Sequence, residues 1–314
     1  MMSQQRFQTA TVIGTGMMGP GIAVTLALGG LRVTLLSRRE DSAQAGLEKS
    51  RSQLALLAGH GLADPDRAES ARASLGWSCD FEGAIRGGDL VVESAIEEMR
   101  FKQDIFARMD AIAGPKTLLA SNTSGLSITE IASGCGHPER VLTTHFWNPP
   151  HLMPLVEIIR GERTDPEAAT AVAGLLRKCG KTPVVVKKDR PGQLGNRLQM
   201  ALVREALHII AEGIADPEDV DLAAKCGFGL RLPVYGILEH QDMVGFDLGM
   251  AVLDYVSRDL SNERGIPGFV RERMKRGEVG VKAGRGFYDW SKKDAEAVRA
   301  RRDRFLLEFL KAGY

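Results

Sequence analysis

The sequence predicts an α/β protein: a doubly wound parallel sheet followed by a second, all-helical domain. Three observations predict it. Short β-branched runs alternate with helical stretches through the first half, a Gly-x-Gly-x-x-Gly turn follows the first run, and strand-forming sequence stops near residue 190. In chain order, "TATVIG" at 9–14, "LRVTLLS" at 31–37, "DLVVES" at 89–94, "TLLAS" at 117–121 and "RVLTTHFW" at 140–147 have the length and composition of strands. Between them, residues 17–29, 40–58 and 98–113 have room for helices, which is the alternation that builds a parallel sheet. The tight "NPPH" turn sends a further strand, "PLVEII" at 154–159, back toward its neighbour. An Asp-Pro-Glu start at Asp165 opens a helix to Lys178, and "TPVVVKK" at 182–188 reads as the last strand.

Pro and Gly interrupt the pattern between Asp189 and Gly192, which sets the expected domains at 1–190 and 191–314. Beyond that point, "NRLQMALVREALHIIAEG" at 196–213 carries apolar residues at helical spacing. Three or four more helices are expected to the end, the last amphipathic and packed on its own domain.

Composition narrows the function classes. The chain has 314 residues, 44% of them hydrophobic, enough for two domains with real cores. Forty-one basic against 40 acidic residues, with no long run of one sign, argue against a nucleic-acid or membrane surface and for a small-molecule ligand. No stretch stays apolar for about 18 residues, and "MMSQQRFQ" lacks the apolar core of a signal peptide, so a cytoplasmic location is expected. Cys79, Cys135, Cys179 and Cys226 are far apart and show no metal-ligand spacing; all four read as reduced packing residues, and no metal site is expected.

The turn "VIGTGMMGPG" places Gly14, Gly16 and Gly19, with Met17 and Met18 between them, directly after a strand and before a helix. Gly14 allows the sharp turn, Gly16 lets backbone approach a pyrophosphate, and Gly19 lets helix pack on strand, while the helix N-terminus faces the phosphates. The second strand ends at Ser37, 18 residues beyond Gly19, where such folds read the adenosine ribose. A dinucleotide cofactor is expected.

The glutamate inside "PLVEII" needs a reason, because a carboxylate removed from water costs several kcal/mol, roughly, unless it is paired. His145 supplies one. It ends a strand at the carboxyl edge of the sheet, twelve residues before Glu157, and the turn brings the two together. A carboxylate that accepts a hydrogen bond from one imidazole nitrogen fixes the tautomer and stabilises the protonated ring, leaving the other nitrogen to exchange a proton with substrate. Beside a nicotinamide, such a pair removes a hydroxyl proton as hydride leaves the same carbon.

Four stretches, "SNTSGLSITEIA" at 121–132, "HFWNPPHLMPLVEII" at 145–159, "RPGQLGNRL" at 190–198 and "GVKAGRGFYDW" at 280–290, resemble in order the signatures of the L-3-hydroxyacyl-CoA dehydrogenase family. The resemblance spans nearly the whole chain. It implies a Rossmann-type first domain, His145 as general base, Glu157 as its orienting carboxylate, and Ser124, Asn148 and Asn196 as polar groups around the reacting oxygen. It also implies Glu97 and Lys102 at the cofactor's nicotinamide-side ribose, and a helical domain that carries a homodimer interface. A non-catalytic reading, as in lens structural proteins of this fold, is met by the presence of both His145 and Glu157.

Two departures matter. Members of the family that bind coenzyme A carry a lysine-rich helix after the second strand, whereas "GLEKSRSQLALLAGHGLADP" at 46–65 keeps Lys49 and Arg51 and then turns apolar. Relatives with "NPP" after the histidine include gulonate, carnitine and pyridine-carboxylate dehydrogenases, which use no CoA. Arg231, in the altered segment 229–249, is a candidate carboxylate clamp, or else a solvated arginine. The second departure concerns the cofactor. An NAD site ends its second strand in Asp or Glu; here Ser37 is followed by Arg38 and Arg39, whose guanidinium groups suit a 2'-phosphate, so NADP(H) is expected over NAD(H). Glu40 and Asp41 belong in the first turn of the next helix, where carboxylates suit the dipole.

Overall fold

In the computed structural model, residues 7–313 are described; the polar start at 1–6 and Tyr314 lie outside the described residues. The contacts divide the chain into two units. One runs to Arg197 and takes up the chain again from Arg301, and the other is Leu198–Ala300.

In the first unit the order is β1 (Thr9–Ile13), α1 (Gly19–Leu28), β2 (Arg32–Leu36), α2 (Glu40–Gly59), α3 (Pro65–Ser74), β3 (Leu75–Ser78), α4 (Phe81–Arg86), β4 (Leu90–Glu93), α5 (Met99–Ile112), β5 (Leu118–Ser121), α6 (Ile128–Ile131), β6 (Val141–Phe146), β7 (Leu155–Arg160), α7 (Pro166–Lys178) and β8 (Thr182–Val186). The strands form one sheet in the order β3-β2-β1-β4-β5-β6-β7-β8. β1 to β6 are parallel, β7 runs antiparallel to β6, and β8 is parallel to β7. β1 and β4 are neighbours although β2 and β3 lie between them in sequence. The chain therefore reverses direction across the sheet there, and a crevice opens beyond the carboxyl ends of those two strands.

Every residue of β4, β5 and β6 is buried, as expected of strands covered on both faces. Alternation sorts them. Val12, Val92 and Leu118 face one core with Ile22 of α1, Leu47 of α2 and Val172 of α7, while Ile13, Val91 and Leu119 face another with Ile85 of α4 and Phe106 of α5. Each such side chain contributes roughly 1.5–3 kcal/mol of burial. β3 escapes the sequence reading because "LGWS" is a four-residue edge strand with a glycine and no β-branched residue.

The second unit continues α8 (Gly195–Ala211) into α9 (Pro217–Cys226), α10 (Phe228–Arg231), α11 (Ile237–Val244), α12 (Phe246–Val256) and α13 (Gly268–Lys275), then enters α14 (Ala295–Lys311). The helices are more and shorter than expected because Gly227, Gly236 and Gly245 cut the run, the last at φ 94°. α14 corrects a second expectation. Its apolar end lies past Arg301, and Leu306, Leu307 and Leu310 join the core of the first unit, not the helical one. Cysteine packing is corrected as well: Cys135 and Cys179 are buried, while Cys79 and Cys226 are exposed. Cys79 falls just past the end of β3, where the chain leaves the sheet edge.

Candidate active site

The glycine turn has the shape the spacing called for. Gly14 sits at φ 103°, and a Cβ there would lie 2.4 Å from the carbonyl oxygen of Ser94, at the end of β4; one on Gly19 would lie 1.8 Å from the Gly14 carbonyl oxygen. A Cβ on Gly16 meets nothing within 4 Å, so the backbone there is open to a close ligand. α1 begins with no side-chain cap on Met18 and no acidic residue in its first turn. Its leading amides and the positive end of its dipole thus suit a pyrophosphate, and the residues present fit a dinucleotide.

A cleft of about 700 Å³ opens on this turn, and it brings together Gly14, Gly16, Met17, Met18, Glu97, Ser124, His145, Asn148 and Asn196. Asn196 donates to the Ser124 carbonyl at 2.9 Å, and the Asn148 amide nitrogen lies 3.5 Å from the Met17 sulfur. Next to it a cavity of about 440 Å³ is lined by Ser37, Arg38, Phe81, Ile96, Ile105 and Arg108, among others. Arg39 does not line it. As the N-cap of α2, exposed, it is paired with Asp41, so only Arg38 of the two arginines borders the cavity. Glu40 and Asp41 do stand in the first turn of α2. Arg231 is exposed at the end of α10 in the second unit.

β7 folds back on β6 in the register that sets His145 opposite Glu157. His145 Nδ1 lies 2.8 Å from Glu157 Oε2, with His145 5% exposed and Glu157 fully buried. That contact leaves Nε2 for the cleft. The same carboxylate oxygen accepts from Trp147 Nε1 at 3.0 Å, and Oε1 accepts from the amides of Leu194 and Gly195 at 2.9 and 2.8 Å. Burial pushes the Glu157 carboxyl up, but the hydrogen bonds from His145, Gly195, Trp147 and Leu194 outweigh it and hold the group below its ordinary value of 4.5. Glu157 is therefore a carboxylate at the start of α8, where the helix dipole favours negative charge.

A second buried glutamate escaped the sequence reading. Glu93 ends β4, fully buried, and accepts from Ser121 Oγ at 2.8 Å, the Ala95 amide at 2.7 Å and Lys102 Nζ at 2.8 and 2.9 Å. Lys102 is 1% exposed, with Glu97 at 3.4 Å on its other side. Lys102 is thus held as a buried counterion between two carboxylates, one of which, Glu97, lines the cleft. Glu97 does reach the cleft, accepting from Thr123 Oγ1 at 2.6 Å and the Ser124 amide at 2.9 Å. The signal for Glu93 was the one that exposed Glu157, a lone carboxylate closing an apolar run, here "DLVVE". Trp147 gave no signal beyond its place in the histidine motif. Among the described residues no cluster of three His, Cys, Asp or Glu could hold a metal, and no helix is long and apolar enough to cross a membrane.

Comparison with known proteins gives the family. The model of the 3-hydroxyacyl-CoA dehydrogenase NAD binding domain matches residues 9–190, and that of the same family's C-terminal domain matches 192–290. The chain is 36% identical over 300 residues to the 5-formyl-3-hydroxy-2-methylpyridine 4-carboxylate 5-dehydrogenase of Mesorhizobium japonicum, covering 94% of this chain and 95% of that one. It is 38% identical over 283 residues to a probable 3-hydroxybutyryl-CoA dehydrogenase of Bacillus subtilis, covering 90% and 97%. A crystal structure of the pyridine-carboxylate enzyme, described as an NAD+ dependent dismutase, superposes with a TM-score of 0.91 at 34% identity over 98% of both chains. A glycine turn fit for a dinucleotide, a buried His–Glu pair at the sheet's carboxyl edge and family models over both units lead to one conclusion: this chain is an oxidoreductase of the 3-hydroxyacyl-CoA dehydrogenase family.

Proposed function

We propose that the protein reversibly oxidises a hydroxyl group of a 3-hydroxyacyl-type compound to the ketone, with His145 as the acid/base and Glu157 as the group that orients it. The observation that carries this reading is the 2.8 Å contact of His145 Nδ1, on the wall of the cleft, with the buried Glu157 carboxylate. When bound, a nicotinamide supplies the hydride acceptor or donor. In oxidation, His145 Nε2 takes the hydroxyl proton as the C–H electron pair leaves and C=O forms; Glu157 stabilises the resulting imidazolium, and reduction returns the proton. Ser124, Asn148 and Asn196 supply polar groups at the reacting oxygen, and Glu97 holds the Ser124 loop through its amide.

A substrate without coenzyme A is favoured by α2. Of its two retained cations, Arg51 is paired with Glu48, and Lys49 lies 3.5 Å from the Gly16 carbonyl oxygen. Leu54 and Leu57 are buried, in one cluster with Leu307 of α14, and Leu310 borders the same cavity as Leu57 and Leu62. The helix spends its apolar half on the core and offers little to a polyphosphate. We expect acetoacetyl-CoA to turn over poorly beside small 3-keto and 3-hydroxy acids, with little dependence on ionic strength. Steady-state rates across that panel decide it, and efficient use of the thioester with a steep salt dependence restores the CoA reading.

For the cofactor the reading is NADP(H) over NAD(H). Arg38 borders the cavity next to Ser37, and no carboxylate closes β2. The Arg39–Asp41 pair is exposed on both sides, so water screens it and it yields readily to a phosphate. Replacing Arg38 and Arg39 together with alanine is expected to weaken NADPH binding by roughly 2–4 kcal/mol, mostly through Arg38, with much less effect on NADH. Side-by-side Michaelis constants check it; a wild-type enzyme that favours NADH sinks the preference. The helical unit exposes Val234, Leu238, Met243 and Tyr255, which supports a homodimer through that unit, and four unpaired cysteines suit a cytoplasmic location.

A further inference from the structure

We propose that Trp147 is a positioning residue of the acid/base pair: by sharing Glu157 Oε2 with His145, its indole N–H sets how tightly the imidazole holds its proton. The inference rests on the His145–Glu157 reading above. It starts from a count of donors. An ionised carboxylate offers about four lone-pair positions, and Glu157 fills them with His145 and Trp147 on Oε2 and the Leu194 and Gly195 amides on Oε1. The indole is held firmly for this task. Its ring lies 5.5 Å from the His145 ring at a tilt of 51°, and a Cβ on Gly195 would fall 2.4 Å from Trp147 Cζ2, so the glycine leaves space for the ring beneath the segment whose amides bind Oε1.

The physical consequence has a definite sign. A hydrogen bond to an anion withdraws charge from the oxygen that accepts it, so an oxygen shared by two donors attracts an imidazolium less than one that serves His145 alone. The indole N–H thereby lowers the proton affinity of His145 relative to a pair in which Glu157 Oε2 serves the imidazole alone. A phenylalanine would keep the aromatic wall and lose the donor, and His145 would then hold its proton more tightly.

Among the described residues lining the cleft only Glu97 and His145 are ionisable, and Glu97 is engaged by Thr123, Ser124 and Lys102. Glu93 and Lys102 pair with each other at the ends of β4 and α5, and on β8 the residue beside Glu157 is Val184.

The test reads the proton itself. In the free enzyme, NMR titration of the imidazole Cε1–H signals follows all six histidines, with His145 assigned from its loss in His145→Gln. Trp147→Phe, and a variant carrying 3-benzothienylalanine, which keeps the bicyclic shape without the N–H, should each raise the His145 midpoint by about half to one pH unit. The other five midpoints should stay in place, and Glu157→Gln should lower that of His145. A His145 midpoint that stays or falls in the benzothienylalanine protein overturns the proposal, even if that protein is less active. Because the titration needs no substrate, inactivity toward every alcohol tried would count against the proposed reaction and leave this result standing.

Discussion

Replacing His145 with alanine is expected to lower the catalytic rate by about two orders of magnitude or more, with dinucleotide affinity unchanged, because the variant loses proton transfer and none of the glycine turn. Glu157→Gln should lose a similar factor for a different reason. Two amides on one side of Glu157 and two ring N–H groups on the other all need an acceptor, and glutamine has one oxygen to offer them. Its NH₂ must face either His145 and Trp147 or Leu194 and Gly195, so the imidazole loses its orientation or the start of α8 loses its anchor. The double variant should be little worse than either single one, since the two residues act as a unit. Single-turnover rates with a reducible ketone check both, and an active His145→Ala enzyme removes His145 from the mechanism.

The same residue predicts an acid limb of stability. The donors hold the Glu157 carboxyl below its ordinary 4.5 against the burial that raises it. A depressed carboxyl stabilises the fold fully above its unfolded value and loses that contribution as pH falls through the folded one. The stability gap between wild type and Glu157→Gln should therefore be widest above about pH 5 and close below about 4.5.

The second large effect belongs to Lys102. Lys102→Met is expected to cost roughly 3–5 kcal/mol of stability, because it strands a fully buried Glu93 carboxylate with only Ser121 and the Ala95 amide as partners. Glu93→Gln combined with Lys102→Met should recover most of the loss, since no fully buried charge is then left unpaired. Denaturant midpoints at constant slope measure it. A single variant within about 1 kcal/mol of wild type would mean that water reaches Glu93. The loss should also loosen Glu97, and with it the Ser124 loop, so the end of β4 and that loop are coupled through one ammonium.

How far the sequence reaches can be judged residue by residue. "VIGTGMMGPG" determined the turn, because only glycine tolerates the positive φ at Gly14 and the space at Gly19, where a Cβ would strike the Gly14 carbonyl oxygen, and both constraints are local. "PLVEII" determined that Glu157 must find a partner, since a buried carboxylate without one is too costly to keep. The doubly wound order followed from alternating strands and helices of ordinary length.

Other features depend on residues far apart in the chain, and only the tertiary structure decided them. Lys102 passes in sequence for a cleft cation, and becomes a buried counterion because β4 ends in Glu93 nine residues earlier. Arg39 looks equivalent to Arg38 until α2 places Asp41 against it. The apolar turn of α2 is unexplained in sequence until the last helix brings Leu307 into the same core, more than two hundred residues downstream. Trp147 is one more aromatic in a motif until the β6–β7 register sets its N–H on the oxygen that His145 also uses. Patterns of period two and 3.6 and the geometry of single glycines are written in neighbouring residues. Which charge meets which is settled when the sheet closes, because electrostatic and packing energies depend on distance in space and not on separation along the chain.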